Sequence, residues 1–314
     1  MPEWLYEAGI GEARAALIDS GMIVEAAIER DGTLTVGTVV AARLGERRAG
    51  RSAHAVLPDG SEVDLVAAPP GTSQGAALSV RIVRESLIEP GRVKPPRGMV
   101  TDDGPRPGPD LRIRIEATGI PVRRLYPHDA DALEAAGWSE TLNEAITGDI
   151  AFPGGMLRMI PTPAMTLFDV DGSGALEPLA IAAARAVASA IVRHGIGGSI
   201  GIDFPTLAGK APRQAVAAAI DVALPLPFER TAVNGFGFLQ IVRPRPRPSL
   251  PELLRADPVG AAARAALRRI ERSPPGSHPH HRLPSAIVAR IGGELAWTAE
   301  LARRTGVLHQ MEPV

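Results

Sequence analysis

Apolar positions in the first third of the chain come in short runs broken by Gly, Asp and Pro. RAALIDSGMIVEAAIER (14–30) sets two such runs around Asp19-Ser20-Gly21, the spacing of a β-hairpin. TVGTVVAARL (35–44), SAHAVL (52–57), SEVDLVAA (61–68) and ALSVRIVRES (77–86) follow, separated by turn residues. Short strands at this spacing predict a small β-barrel. Residues 87–110 are crowded with Pro, Gly and charge and predict a boundary or loop. LRIRIEA (111–117) alternates like a strand, and DADALEAAGWSETLNEAI (129–146) is helical with a break at Gly137.

The pattern then lengthens. GMLRMIPTPAMTLFDVDG predicts two strands with a turn near Pro161–Pro163, and residues 177–198 predict a long helix stopped by glycines. GSIGIDF (198–204) is continuously apolar, as in a strand buried on both faces. A helix over 209–224 and a strand over 234–243 complete a strand–helix–strand–helix–strand order, which implies a parallel crossover. That order puts Asp169 and Asp203 near the C-terminal ends of neighbouring parallel strands, where open sheets gather ligands. Residues 244–250 (PRPRPSL) form an extended Arg-Pro link. A helix over 256–273, a strand-like IVARI (287–291) and a helical ELAWTAELARRTG (294–306) make a small αβ appendage.

Composition narrows the chemistry. With 314 residues, 45% of them hydrophobic, the chain can bury a sizeable core, but at 4% aromatic that core must be mostly aliphatic. The formal net charge is −1, so affinity for a polyanion has to come from local patches. Among the basic residues only Lys94 and Lys210 are lysines. The absence of cysteine excludes disulfides, thiolate metal sites and a Cys nucleophile. The N-terminus lacks the pattern of a signal peptide, and no apolar stretch approaches the roughly 18 residues of a membrane span. The expectation is a soluble, cytoplasmic protein with no membrane partner.

Carboxylates carry the candidate chemistry. In FDVDGSG, Asp171 follows Asp169 by two residues, so in a strand the two share a face. Asp203 ends an apolar strand, where a charge is costly unless paired or bound to a metal. Converging carboxylates are the usual way to hold Mg²⁺, which keeps waters and can engage a phosphate. The simpler reading, a turn former or helix cap, stands beside this for Asp171 before Gly172. DVDGSGALE also resembles the start of an EF-hand loop, but the required Glu would fall at Ala180. His278, His280 and His281 could bind a transition metal or simply belong to a Pro-rich surface loop. His194 ends the long helix, where it would cap it or favour its dipole.

MTLFDVDGSG, the helix ending RHGIGG, SIGIDF and FGFLQIVRPRPRPSL together resemble the catalytic subdomain of the ribonuclease E/G family, in order and spacing, over about residues 160–250. The resemblance implies a mixed α/β fold in which an OB-fold RNA-binding domain (35–90) is inserted in an RNase H-like subdomain (1–34 and 108–160). A DNase I-like catalytic subdomain (161–250) and a small C-terminal domain (251–314) follow. It further implies that Asp169 and Asp203 bind Mg²⁺, with Mn²⁺ as a substitute, and that Asp171 assists from the position of a catalytic Asn. Arg243, Arg245 and Arg247 fall nearest the family's phosphate-contacting segment, though the alternating prolines also fit a stiff linker. The family's Cys-x-x-Cys zinc link is missing after Leu250, so a homodimer, if formed, is not zinc-bridged. The region that would sense a 5′-monophosphate is too short. Ala55 and Asp64 stand where stacking aromatics are expected, leaving Arg51, His54 and their neighbours to contact RNA.

The sequence therefore predicts an Mg²⁺-dependent endoribonuclease that cuts single-stranded RNA through a metal-activated water, indifferent to 5′-end phosphorylation and leaving a 5′-phosphate and a 3′-hydroxyl. The alternatives are a non-catalytic RNA-binding protein that keeps the fold, and a reduced subunit of a larger complex.

Overall fold

The computed structural model describes residues 1–46, 53–67, 70–89, 92–274 and 276–314. Strands β1 (Glu3–Ala8), β2 (Glu12–Asp19) and β3 (Met22–Arg30) form an antiparallel meander. The β2–β3 turn is the expected one: Ser20 and Gly21 take φ of +53° and +80°, as a two-residue hairpin turn requires. Strands β4 (Val39–Leu44), β5 (Ala53–Val56), β6 (Glu62–Leu65) and β7 (Ala77–Arg84) follow. A short hairpin of β8 (Leu87–Glu89) and β9 (Arg92–Lys94) leads to β10 (Arg97–Thr101).

The predicted barrel exists, an OB-like closed sheet in the order β10-β6-β5-β4-β7. Its closing strand lies in the Pro- and Gly-rich stretch expected to be a loop, so the barrel runs past residue 90. A Cβ on Gly98 would come within 2.3 Å of Val80 and 3.0 Å of Val63, so closure requires the glycine that made the segment look irregular.

Beyond the barrel, α1 (Leu111–Glu116) is a helix where alternation predicted a strand. Asp110 caps it by accepting from the Ile113 amide at 2.8 Å. Leu111 and Ile115, four apart, bury one face against Trp4 and Tyr6 while Ile113 stays exposed. Strand β11 (Val122–Arg124) returns to pair in parallel with β1. The barrel is thus inserted into a four-stranded sheet, β11-β1-β2-β3. Helices α2 (Ala132–Ala135) and α3 (Trp138–Thr147) are split at Gly137, as expected.

A six-stranded sheet comes next, built from β12 (Asp149–Phe152), β13 (Gly155–Pro161), β14 (Thr166–Gly172), helix α4 (Leu176–Arg193), β15 (Gly198–Asp203), helix α5 (Lys210–Ala223), β16 (Glu229–Arg230) and β17 (Phe238–Arg243). Its order is β12-β13-β14-β15-β17-β16, so it begins at residue 149 rather than 161. β14 and β15 are parallel, as expected, but β17 runs antiparallel to β15. Leu157, Phe168, Ile200, Ile202, Leu239 and Ile241 bury against α4 and α5. The small Ala183, Ala184, Ala188 and Ala190 let α4 lie close to the sheet, which is how an aromatic-poor core packs densely. The opposite face carries Met156, Arg158, Ile160, Asp169, Asp171 and Val242 in exposed positions. The middle of β15 is covered on both faces, as its apolar run predicts, by the helices over Ile200 and Ile202 and by Phe238, Leu167 and Met165 around Gly201, and Asp203 at its end is open.

The chain ends with α6 (Leu250–Ala256), α7 (Pro258–Glu271), β18 (His280–Leu283), α8 (Ser285–Gly292), α9 (Leu295–Thr305) and β19 (Gln310–Pro313). The IVARI segment, read as a strand, lies within α8, where Ile287 and Ile291 face the α7–α9 core. His280 and His281 lie on β18, paired in parallel with β19. Ion pairs fasten this region to the first sheet, Arg268–Glu12 at 2.7 Å and Arg272–Glu7 at 3.1 Å, and Glu7 is also held within the sheet by Arg14 at 2.7 Å. Among the described residues no helix is long and apolar enough to cross a membrane.

His194, at the C-terminus of α4, is fully buried and bonds Glu144 through Nε2 at 3.1 Å. Desolvation by burial pulls its pKa below the ordinary histidine value, against the pull of Glu144, so the ring is a neutral helix end rather than a dipole-stabilised cation. Because the folded pKa is depressed, stability is intact above the unfolded value of about 6.5 and falls as pH drops through it. Urea unfolding at pH 7.5 and 5.5 should show a loss of stability in the native chain that is smaller in His194→Gln.

Candidate metal and phosphate site

Register places the two central carboxylates. β14 and β15 pair so that Phe168 lies opposite Ile202 and Asp169 opposite Asp203. Phe168 and Ile202 are fully buried under α4 and α5, and alternation turns both aspartates to the open face. A one-residue slip would bury both charges, so the core fixes the register and the register fixes the pair.

The connections at this end of the sheet are tightly built. Gly172 ends β14 where a Cβ would meet Leu179 at 2.5 Å and the Gly154 carbonyl at 2.7 Å. After β15, Phe204 and Leu207 are buried and anchor the loop to α5. The β16–β17 turn closes on the same loop through Phe204 N to Gly237 O at 3.2 Å. These connections leave from the C-terminal ends of β14 and β15, the edge at which open α/β sheets bind ligands.

The structure brings together fewer of the candidates than the sequence suggested. Asp169 and Asp203 are exposed, face each other and make no side-chain hydrogen bond or ion pair with the described residues. Asp171 shares their face but lies two residues further along β14, about 7 Å away and past the end of β15. Among the described residues no group of three or more His, Cys, Asp or Glu converges on a point that could hold a metal, so the expected third carboxylate is not gathered in. Two hard oxygen ligands on an open face still fit Mg²⁺ or Mn²⁺, which bind through one or two carboxylates and retain waters; they do not fit a closed zinc site. Arg158 lies opposite Asp169 on β13 and pairs with Asp149 at 3.5 Å, placing a cation on the same face.

The arginine segment stands elsewhere. β17 runs back from Phe238, opposite Asp203, to Arg243, opposite Gly198. Arg243 is therefore about 17 Å from the carboxylate end, and Arg245 and Arg247 continue away from it. Arg245 pairs with Glu252 and lies 3.9 Å from Glu89; Arg247 lies 3.7 Å from Glu85. The Glu85 amide donates to the Pro246 carbonyl at 2.8 Å, and the Leu250 amide donates to His194 O at 3.0 Å. Burial pushes the Glu85 carboxyl up despite Arg247 beside it. This segment is a seam between barrel and sheet, and its charges are largely spent on glutamates.

His54 is also withdrawn. It is 7% exposed, 3.7 Å from Glu62, and seated where a Cβ on Gly45 would collide with its ring. Ala55 lies wholly inside the barrel, so its position could not have offered a stacking surface. Arg51 lies outside the described residues.

Two neighbours of the carboxylates escaped the sequence reading. Phe238 reaches across Gly201, where a Cβ would come within 2.6 Å of its ring, and Phe236 stands 85% exposed at the tip of the adjoining turn. The F-G-F alternation around a strand start was the available signal. No protein-family model matches the chain, and a search of curated proteins finds no match.

Like charges directly opposite on neighbouring strands destabilise a sheet. Without divalent metal, Asp203→Asn should melt at or above the native temperature. Millimolar Mn²⁺ should raise the melting temperature of the native chain and leave that of Asp203→Asn unmoved, as read by a thermal-shift titration.

Proposed function

We propose that the chain is a divalent-metal-dependent endoribonuclease acting on single-stranded RNA, a shortened member of the ribonuclease E/G family. The observation that carries this reading is Asp169 facing Asp203 in register on the open face of a sheet, at the C-terminal ends of two parallel strands. The inserted barrel supports it, since OB-folds commonly bind single strands. In this reading the four-stranded sheet with α1, α2 and α3 is the RNase H-like part, and the six-stranded sheet is the DNase I-like part. The small C-terminal domain is pinned to the former through the Glu7–Arg14–Arg272 ion cluster.

The roles follow from placement. Asp169 and Asp203 would hold Mg²⁺, which when bound supplies an activated water and stabilises charge on the scissile phosphate. Asp171, at the mouth, is placed to orient a water or ribose hydroxyl rather than to ligate. Arg158 is placed to meet a phosphate oxygen. The open face admits an extended strand, whereas a duplex could not bring its backbone to two short side chains without distortion. The region that would sense a 5′-monophosphate is too short in this chain, so cleavage should ignore 5′ phosphorylation. A homodimer, if formed, would lack a zinc bridge.

A second reading, a non-catalytic RNA-binding protein, draws support from the ungathered third carboxylate and the withdrawn His54 and Arg245. Cleavage of a labelled single-stranded RNA separates the two. With Mg²⁺ the native chain should cut, leaving 5′-phosphate and 3′-hydroxyl ends, and EDTA should abolish cutting. Asp169→Asn and Asp203→Asn should each cut at least about 100-fold more slowly, because each removes half of the protein's metal ligands. Equal RNA binding by native and variant proteins with no cutting by either would replace the enzyme with the binding protein.

A further inference from the structure

The most exposed phenylalanine of the chain stands next to the carboxylate pair. Of the six, Phe152, Phe168 and Phe204 are buried and Phe228 and Phe238 half-buried, whereas Phe236 is 85% exposed. Scattered apolar residues on surfaces need no explanation. This one differs because the turn that displays it is held in place from several sides.

Asn234 Oδ1 accepts from the amides of Phe236 at 2.9 Å and Phe238 at 3.0 Å, and the Asn234 amide donates to Phe238 O at 2.9 Å. Val233 anchors the start of the turn in the core. Gly237 takes φ +96°, and a Cβ there would sit 2.2 Å from the Phe204 carbonyl, so the turn presses on the loop that follows Asp203. The Thr206 hydroxyl donates to Phe236 O at 3.4 Å. The ring is therefore displayed on a fixed backbone, two residues from the register partner of Asp203.

Its surroundings combine apolar side chains with a cation and the carboxylate pair. The ring of Phe238 lies across Gly201 on the carboxylate face, beside Leu167 and Met165. The Arg213 guanidinium lies 3.5 Å from the place a Cβ on Gly235 would take, so a cation flanks the turn. An aromatic 85% exposed, with a cation flanking its turn and a carboxylate pair on the adjoining strands, the nearer facing the residue two positions along, suits an unpaired base whose phosphate reaches the metal ligands.

We propose that Phe236 is the platform on which a base of single-stranded RNA stacks, in the nucleotide next to the phosphate held at Asp169 and Asp203. This rests on the ribonuclease reading and adds to it a sequence-tolerant subsite that demands a base. Stacking needs an unpaired base with an accessible π-face, so the platform selects single strands, and it accepts any of the four bases.

The test uses the full chain and a short fluorescent RNA, intact or with one abasic position walked along it. Binding is read by anisotropy in the Asp203→Asn background and cleavage in the otherwise native chain. Phe236→Ala and Phe236→Leu should each weaken binding about 5- to 100-fold, the worth of one stacked base, while Phe236→Trp stays close to native. An abasic site at one position should cost the native platform a similar factor and cost Phe236→Ala nothing further. The Mn²⁺-induced thermal shift should be the same in all Phe236 variants, showing that fold and metal site are intact. Unchanged binding and cleavage by Phe236→Ala, or full replacement by Leu, overturns the platform, leaves the nuclease standing and points to a protein partner at the ring. Weakened binding in a chain that never cuts keeps the platform and removes the enzyme. Failure of the native chain to bind RNA removes both.

Discussion

The parallel pairing of Thr166–Gly172 with Gly198–Asp203 is the constraint on which the candidate site depends. Parallel neighbours need a crossover, and α4 supplies it while covering the inward face of both strands with a row of alanines. Burial of Phe168 and Ile202 then decides the register, and truncating a residue such as Phe168 would cost about 3–5 kcal/mol. Asp169 and Asp203 contribute nothing to that decision. They are carried to adjacent positions by their apolar neighbours, with like charges opposed and no described side chain to neutralise them. Like charges opposed on neighbouring strands with no side-chain partner weaken a sheet locally, and here the core beneath them holds them in place.

The elements that define this sheet were legible because their periodicity is unambiguous. α4 and α5 read as helices, β14 and β15 as strands, and both aspartates at strand ends, all from residue spacing. Misreadings arose where local pattern and tertiary demand diverge. LRIRIE alternates, yet the Asp110 cap and the i, i+4 pair Leu111–Ile115 make it helical. IVARI is rich in β-branched residues, yet the pocket between α7 and α9 takes a helix. RGMVT hides in a Pro/Gly-rich stretch, yet the barrel needs a strand with no side chain at Gly98. For the last two the deciding contact is distant in sequence, where periodicity carries no information; for the first it is a local cap that alternation does not register.

The side chains show the same division. Arg243, Arg245 and Arg247 look like a phosphate-binding run, and nothing local distinguishes them from one. Arg245 pairs with Glu252 on the following helix, but Glu89 beside Arg245 and Glu85 beside Arg247 sit more than 150 residues earlier, just after the barrel strand β7. Burial pulls the pKa values of Arg243 and Arg247 down despite the glutamates near them, and Arg245 and Arg247 bridge two substructures at the seam. His54 could not be placed from sequence either, since its burial depends on the approach of Gly45. Exposure of Phe236 was equally hidden: the residue sits in an apolar run, and only the Asn234-capped turn ejects it from the strand.

The six-stranded sheet therefore has two unlike ends. At one, the Arg-Pro seam reaches Glu85 and Glu89 beside the barrel, while the buried His194 ties α4 to α3 and α6, and most of the charge is paired. At the other, short glycine-dependent connections carry Asp169, Asp203 and Phe236, and charge is left unpaired. Separating the two lets the seam be rigid without burying the site, and lets the site stay open without loosening the domains. An RNA strand engaging the carboxylates in the proposed manner would meet a surface already ordered by the core beneath it. The ordering cost of binding then falls mainly on the RNA, which favours flexible, unpaired substrates over structured ones.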